Sequence, residues 1–248
     1  ESYTYFVTEI QPKLAPLSND LNKKMMESAF HKELSEDPAY AIYFRSVGVQ
    51  LDLFREENIA IEAYLSEKSQ EYGSISAAQT IEHEGKNLTM QQASVHLKNQ
   101  DEALRSQVYH KIASRRRQDI DTLNALYTDL IQKRHELAGN AGFDNYRDFQ
   151  HQRMHRFDYT PADCERFHAA CEQVCVPLMR QLNEERRTAL KLDTLRPWDL
   201  KVDVLGRSAL RPFETADELV DRCSRVFHDM GGGLGPLFDS MRSECLDL

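Results

Sequence analysis

Cysteine is missing from the first 163 residues of this 248-residue chain, and the five that follow (Cys164, Cys171, Cys175, Cys223 and Cys245) are odd in number. A secreted domain stapled by disulfides would not be built this way, so the thiols read as reduced and the compartment as cytoplasmic. Long apolar runs are also missing, which excludes a transmembrane helix. No basic-then-apolar segment opens the chain, and Glu1 to Ile10 reads as ordinary helix rather than a signal peptide. Positive charge is scarce: 31 Lys and Arg stand against 40 Asp and Glu, a net charge of −9. Phosphate backbones are bound by basic surfaces, so a dedicated nucleic-acid binder is excluded. Tryptophan occurs once, as Trp198.

What is present is helical periodicity. Apolar residues recur with a 3.6 period from Tyr5 to Leu34, with a kink expected at Pro12 and Pro16. Ser35-Glu36-Asp37-Pro38 signals a helix start, and the helix it opens is expected to run to about Glu71. Its stripe comprises Tyr40, Tyr43, Phe44, Val47, Leu51 and Phe54. Residues 73–90 break the pattern, and Ile75–Ile81 with Glu84-Gly85-Lys86-Asn87 reads as a β-hairpin turning at Gly85. Asn99–Glu102 reads as a capping box, opening one helix that ends at Gly139-Asn140. Thr160-Pro161-Ala162-Asp163 opens another, bent at Pro177, with Phe167, Cys171, Val174, Leu178 and Leu182 on a buried face. Trp198–Val204 alternates like a short strand, with Trp198 as a packing residue. Thr215–Glu218 caps a helix to about Met230, and a last one follows Gly235-Pro236. No period of 30 to 45 residues appears, which weighs against a solenoid.

The chemistry-bearing clusters are incomplete. His135-Glu136-Leu137-Ala138-Gly139 starts like the zinc pattern HExxH, but one tetrahedral ion needs a second imidazole one turn on, where Gly139 stands. His83-Glu84-Gly85-Lys86-Asn87 fails likewise. His151 and His155 have the one-turn spacing, but Gln152 occupies the position of the general-base Glu. His168 and Glu172 read as a surface pair. Cys164, Cys171 and Cys175 share a helix face without a CxxC knuckle and read as small core residues. Gly231–Gly235 lacks the preceding strand and the following Lys of a phosphate loop, so it reads as an interhelical loop. Arg115-Arg116-Arg117, offset by Asp119 and Asp121, reads as a solvated face. No catalytic, cofactor-binding or metal-binding residue is assigned.

Several stretches together resemble one family. They are Leu53–Ile59 (LFREENI), the hairpin with Leu88–Ala93, Gly142–Phe149 (GFDNYRDF), Arg156–Pro161 (RFDYTP) and Leu195–Leu200 (LRPWDL). Their order and spacing resemble the oligoendopeptidase F branch of the thimet oligopeptidase family of zinc metallopeptidases, over essentially the whole chain. The resemblance implies a mainly α, two-domain, clam-like peptidase cleaving oligopeptides in a channel. In that family HExxH and a later Glu hold zinc, and the HExxH Glu activates a water. HExxH is absent here, so the chain is expected to be an internal fragment that itself binds no zinc and is inactive. Residues 1–98 resemble the N-terminal helical domain and 99–248 the first part of the catalytic domain. Stripes such as Leu104–Val108–Ile112 are then expected to lack part of their packing partners. The alternative is a non-catalytic helical scaffold whose groove takes a peptide or partner helix.

Overall fold

The computed structural model describes residues 2–208 and 210–244. It is mainly α with one antiparallel hairpin, as the periodicity requires. Residues divide into two compact units, Glu1–Val202 and Asp203–Leu248.

In the first unit, helix α1 (Ser2–Tyr5) passes into a π-turn (Phe6–Ile10) and then α2 (Gln11–Met26). The wide turn lies just before Pro12. A proline ring collides with the carbonyl four residues back and leaves it without a donor, and one widened turn relieves both. Pro16 stays inside α2. A short α3 (His31–Ser35) precedes α4 (Pro38–Leu53), which begins where the sequence signals: Asp37 caps it by accepting from the Ala39 N–H at 2.9 Å, with Pro38 in the first turn.

The expected continuous helix to Glu71 is in fact two. The backbone is extended at Phe54 and Arg55, and α5 runs from Glu56 to Ala77, through residues expected in the hairpin. Arg55 explains the break. Its guanidinium donates to the Asp52 and Phe54 carbonyls at 2.9 and 2.7 Å, and to those of Asn140 and Ala141 at 3.1 and 3.4 Å. One side chain thus satisfies carbonyls at the ends of two helices, which otherwise have no helical partner.

The hairpin is shorter than expected, β1 (Thr80–His83) against β2 (Lys86–Thr89), with Thr80 opposite Thr89 and His83 opposite Lys86. Glu84 and Gly85 both have positive φ, 53° and 74°, the tight two-residue turn that suits strand twist. Helix α6 (Met90–Val95) follows directly, Thr89 and Gln92 forming its capping box, and a 3₁₀ turn (His96–Lys98) leads to α7 (Glu102–Gln118). Its N-cap is Asp101, accepting from the Ala103 and Leu104 N–H groups, rather than Asn99.

The long helix expected to Gly139 also divides, at Asp119, whose carboxylate takes a hydrogen bond from Gln79 at 2.8 Å and pairs with Arg115 at 2.6 Å. Helix α8 (Ile120–Asn140) then closes with the Phe143 N–H donating to the Ala138 carbonyl and Gly142 at φ 86°. That is a Schellman stop, made by Gly142 rather than Gly139. Helix α9 (Tyr146–Arg153) is capped by Asn145, and α10 (Pro161–Ala189) by the reciprocal Thr160–Asp163 box. Pro197–Asp199 forms a 3₁₀ turn, not the expected strand.

Two cores hold this unit. Leu53, Ile61, Leu137, Ala138, Ala141 and Phe149 join α4, α5, α8 and α9. Ile81, Ala93, Leu97, Val108 and Ile112 join the hairpin, α6 and α7, with half-buried Trp198 packed on them. Leu104–Val108–Ile112 is therefore not short of partners: Val108 is 0% exposed.

The second unit contains α11 (Ala216–Met230), capped by Thr215 as expected, and α12 (Leu234–Glu244), which starts before Pro236 rather than after it. Phe227 and Phe238 stack with centroids 4.9 Å apart, and Arg242 pairs with Asp221 at 2.6 Å. The glycine run makes the turn between them. Gly231, Gly232 and Gly233 all have positive φ, and a Cβ on Gly235 would lie 2.4 Å from Nδ1 of His228.

Candidate binding site

Two of the stretches that carry the family resemblance, Leu53–Ile59 and Leu195–Leu200, act as struts. Asn58, in the first of them, donates to the Leu137 carbonyl at 3.0 Å and accepts from Asn140 at 2.8 Å. Asp199 in Leu195–Leu200 is fully buried and pairs with the Arg105 guanidinium at 2.6 Å. Its other oxygen accepts from the Arg196 N–H at 3.0 Å, while Arg105 also donates to the Asn99 and Gln100 carbonyls. Nothing in the sequence marks this pair: the partners are 94 positions apart. Trp198 packs beside it against Tyr109 and His110, centroids 5.4 and 5.1 Å away.

The histidines do not converge. His135 is exposed on α8. His83 is buried in the hairpin, edge-on to His96 at 4.6 Å, and its Nε2 has no hydrogen bond but lies 3.9 Å from the Glu84 carboxylate. His151 and His155 are not one helical turn apart, because α9 ends at Arg153 and His155 turns left-handed at φ 54°. Their rings lie against different aromatics, Tyr159 and Phe157. Among the described residues no three His, Cys, Asp or Glu side chains form a metal cage. These donors therefore do not fit a zinc ion, which needs three or four convergent ligands.

A Ser–Asp–His contact in the second unit is also not a nucleophile. Asp239 bridges Ser224 at 2.6 Å and His228 at 2.8 Å, so the imidazole cannot take the hydroxyl proton directly. Hydrogen bonds from Ser224 and then His228 hold the Asp239 carboxyl below its ordinary range. Arg115 pairs with Asp119, as the local charge balance suggested, whereas His168 and Glu172 are both exposed and form no ion pair among the described residues.

The largest departure from expectation is α10. No residue of this 29-residue helix is buried. Phe167 and Val174 are each 68% exposed, Leu178 53% and Leu182 47%. Cys175 is exposed too, and Cys164 and Cys171 are half-buried, so the cysteines do not face a core here. Burial against its neighbours still pushes the Cys171 thiol up, which disfavours the nucleophilic thiolate. Cys245 lies outside the described residues. The apolar periodicity correctly gives which face of α10 is hydrophobic, but nothing among the described residues covers that face.

Two concavities meet beside the start of α10. One, about 650 Å³, lies between α4, α9 and the segment 156–160, with Arg45, Phe143, Arg147, His151, Arg156 and Phe157 on its walls. The other, about 510 Å³, shares Arg147, His151, Arg156 and Pro161 with it and extends along α10 to His168. Arg45 sits 3.9 Å above the Phe157 ring and donates to the Phe157 carbonyl at 3.3 Å. Arg45 and Phe157 are 112 positions apart, so no local pattern could have joined them.

Peptidase family M3 matches residues 95–230, more than half of the chain. Among solved structures, PZ peptidase A with an inhibitor superposes at a TM-score of 0.90 and 20% identity, covering 99% of this chain and 43% of that one. A Bacillus anthracis str. Ames protein described as an oligoendopeptidase F gives 0.86 and 18%, covering 96% and 43%. A second so described gives 0.89 and 22%, covering 97% and 42%. At these identities the likeness is one of fold, and the chain spans less than half the length of each. A comparison with curated proteins found no match. The match over α7 to α11 extends the likeness of fold to sequence, and the chain belongs to peptidase family M3.

Proposed function

We propose that this chain is part of a zinc-dependent oligopeptidase, in which its helices form one wall of a channel that admits short peptides. Residues 1–98 are read as part of the N-terminal helical domain and 99–248 as the opening of the catalytic domain. The donors of this chain do not fit zinc; in a whole protein that held the ion elsewhere, it would supply Lewis-acid chemistry for hydrolysing the peptide bond. The chain's own work is positional. Its buried struts fix the helices rigidly, and a fixed wall restrains an extended peptide so that less entropy is lost when it reacts. By itself the chain is inert. The compartment is the cytoplasm, the partners are oligopeptides, and neither nucleic acid nor membrane is involved.

The observation that carries this reading is the family match over residues 95–230, together with a likeness of fold along nearly the whole chain to proteins more than twice its length. The uncovered face of α10 agrees with it. Its apolar stripe from Phe167 to Leu182 runs about 23 Å at 1.5 Å per residue, and an exposed stripe of that length calls for a partner. The same stripe is what a non-catalytic scaffold would present to a partner helix, which keeps that second reading in play. The test is made on the longer protein containing this chain. One zinc per protein, loss of peptide cleavage on chelation and recovery on zinc addition are expected. A folded, zinc-loaded protein that cleaves no peptide removes the peptidase reading in favour of the scaffold.

A further inference from the structure

The two concavities beside α10 combine features that the peptidase reading does not use. Arg45 and Arg156 have no carboxylate partner among the described residues, in a chain whose net charge is −9. Arg45 is held by the Phe157 ring and carbonyl, and Arg156 has only the Tyr159 ring 5.9 Å from its guanidinium carbon. The third guanidinium, Arg147, is already engaged by Asp148 at 2.9 Å and Glu165 at 3.0 Å. Asp148, the one carboxylate on the first concavity's wall, is paired with Arg147 and accepts a hydrogen bond from the Asn145 amide. His151 lines both concavities, and its Nε2 is shielded from water yet has no hydrogen-bond partner. Shielding a polar nitrogen without a partner is costly. The first turn of α10 adds the positive end of a helix dipole at Pro161 and Ala162.

We propose that this groove binds the C-terminal carboxylate of a peptide whose last side chain is apolar. Guanidinium groups recognise carboxylates in planar, two-pronged geometry, and two that have no carboxylate partner among the described residues line this groove. The choice of a terminal carboxylate follows from how the walls are arranged. Arg45 lies directly on Phe157, so charge and apolar surface are adjacent, and a C-terminal residue carries its carboxylate and its side chain on the same Cα. Arg45 and Arg156 take the carboxylate, and Val49, Phe143 and Phe157 receive the side chain. This binding does not depend on whether the whole protein cleaves peptides.

The experiment measures binding calorimetrically on the longer protein containing this chain, with a chelator present so that no probe is consumed. The probes are N-acetyl-Ala-Ala-Leu with a free carboxylate, the same peptide as its C-terminal amide, and N-acetyl-Ala-Glu-Leu amide. Expected is binding of the free acid, with both amides at least tenfold weaker. Arg156→Gln and Arg45→Gln should each weaken the free acid about tenfold, while Arg117→Gln on the exposed face of α7 leaves it unchanged. Both variants alter side chains outside the buried cores, and circular dichroism verifies their folding. Equal binding of acid and amide overturns the proposal without any variant. So does an unaltered affinity in the folded arginine variants, which would place the peptide elsewhere. Tight binding of the glutamate amide would reassign the groove to side-chain carboxylates and sink the terminal-carboxylate claim.

Discussion

Arg105 and Asp199 show how far single residues can depart from what spacing suggests. Both are essentially sealed from water, and backbone groups satisfy the second Asp199 oxygen and Nη1 of Arg105, while Nε of Arg105 has no hydrogen-bond partner. Removing one partner leaves the other charge buried and alone, which costs about 3–5 kcal/mol. Asp199→Ala should therefore unfold the chain at markedly lower urea than the parent sequence, whereas a shift corresponding to less than about 1 kcal/mol would mean water reaches Arg105. Trp198 behaves differently from a fully buried indole. It is half-buried, so its truncation should cost less than the roughly 3–5 kcal/mol of a core aromatic. At the surface, the Arg207 side chain beside Asp203 lowers that carboxyl from 3.8 to about 2. A depressed folded pKa stabilises above the ordinary carboxylate range, and the benefit is lost as pH falls through about 2. Carbon-detected NMR titration should find Asp203 near 2, rising towards 3.8 in Arg207→Gln. An unchanged value in the variant would assign the shift to the Leu205 and Arg207 backbone N–H groups instead.

Among the elements, starts were more legible than ends. Asp37, Thr160 and Thr215 sit where cap chemistry puts them, because a cap is a contact over two or three residues. The breaks at Phe54–Arg55 and at Asp119 escaped the periodicity because residues 40 to 86 positions away stabilise them, namely Gln79 for Asp119, and Asn140 and Ala141 for Arg55. Helix α5 overrode Gly73 and the β-branched Ile75 for a similar reason, its packing along α8 outweighing weak local preferences. For α10 the sequence carries the face but not its occupant. Two consequences follow for this helix. Thr160→Ala should cost about 1 kcal/mol and be felt first as faster hydrogen exchange in residues 161–164. Val174→Lys should change the stability of the 248-residue chain by no more than about 0.5 kcal/mol, as surface changes do. A loss of 2 kcal/mol or more would mean the stripe is already packed.

On the scale of the whole molecule, the mainly α architecture and the family were legible from the order of short motifs. Arg55, Asn58 and Asp199 turn out to owe their place in those motifs to holding helices together. The groove at Arg45 and Arg156 was not legible, since it exists only once α4, α9 and the segment before α10 are brought side by side. The central claim is that this chain is a passive wall of a channel that accepts only short, unfolded segments. The most direct test follows a quenched-fluorescent peptide and an intact folded protein in parallel, with the 248-residue chain and with the longer protein containing it, with and without chelator. The account predicts chelator-sensitive cleavage of the peptide by the longer protein alone, with the folded protein spared. Cleavage by the 248-residue chain itself, or cleavage that survives the chelator, would contradict it.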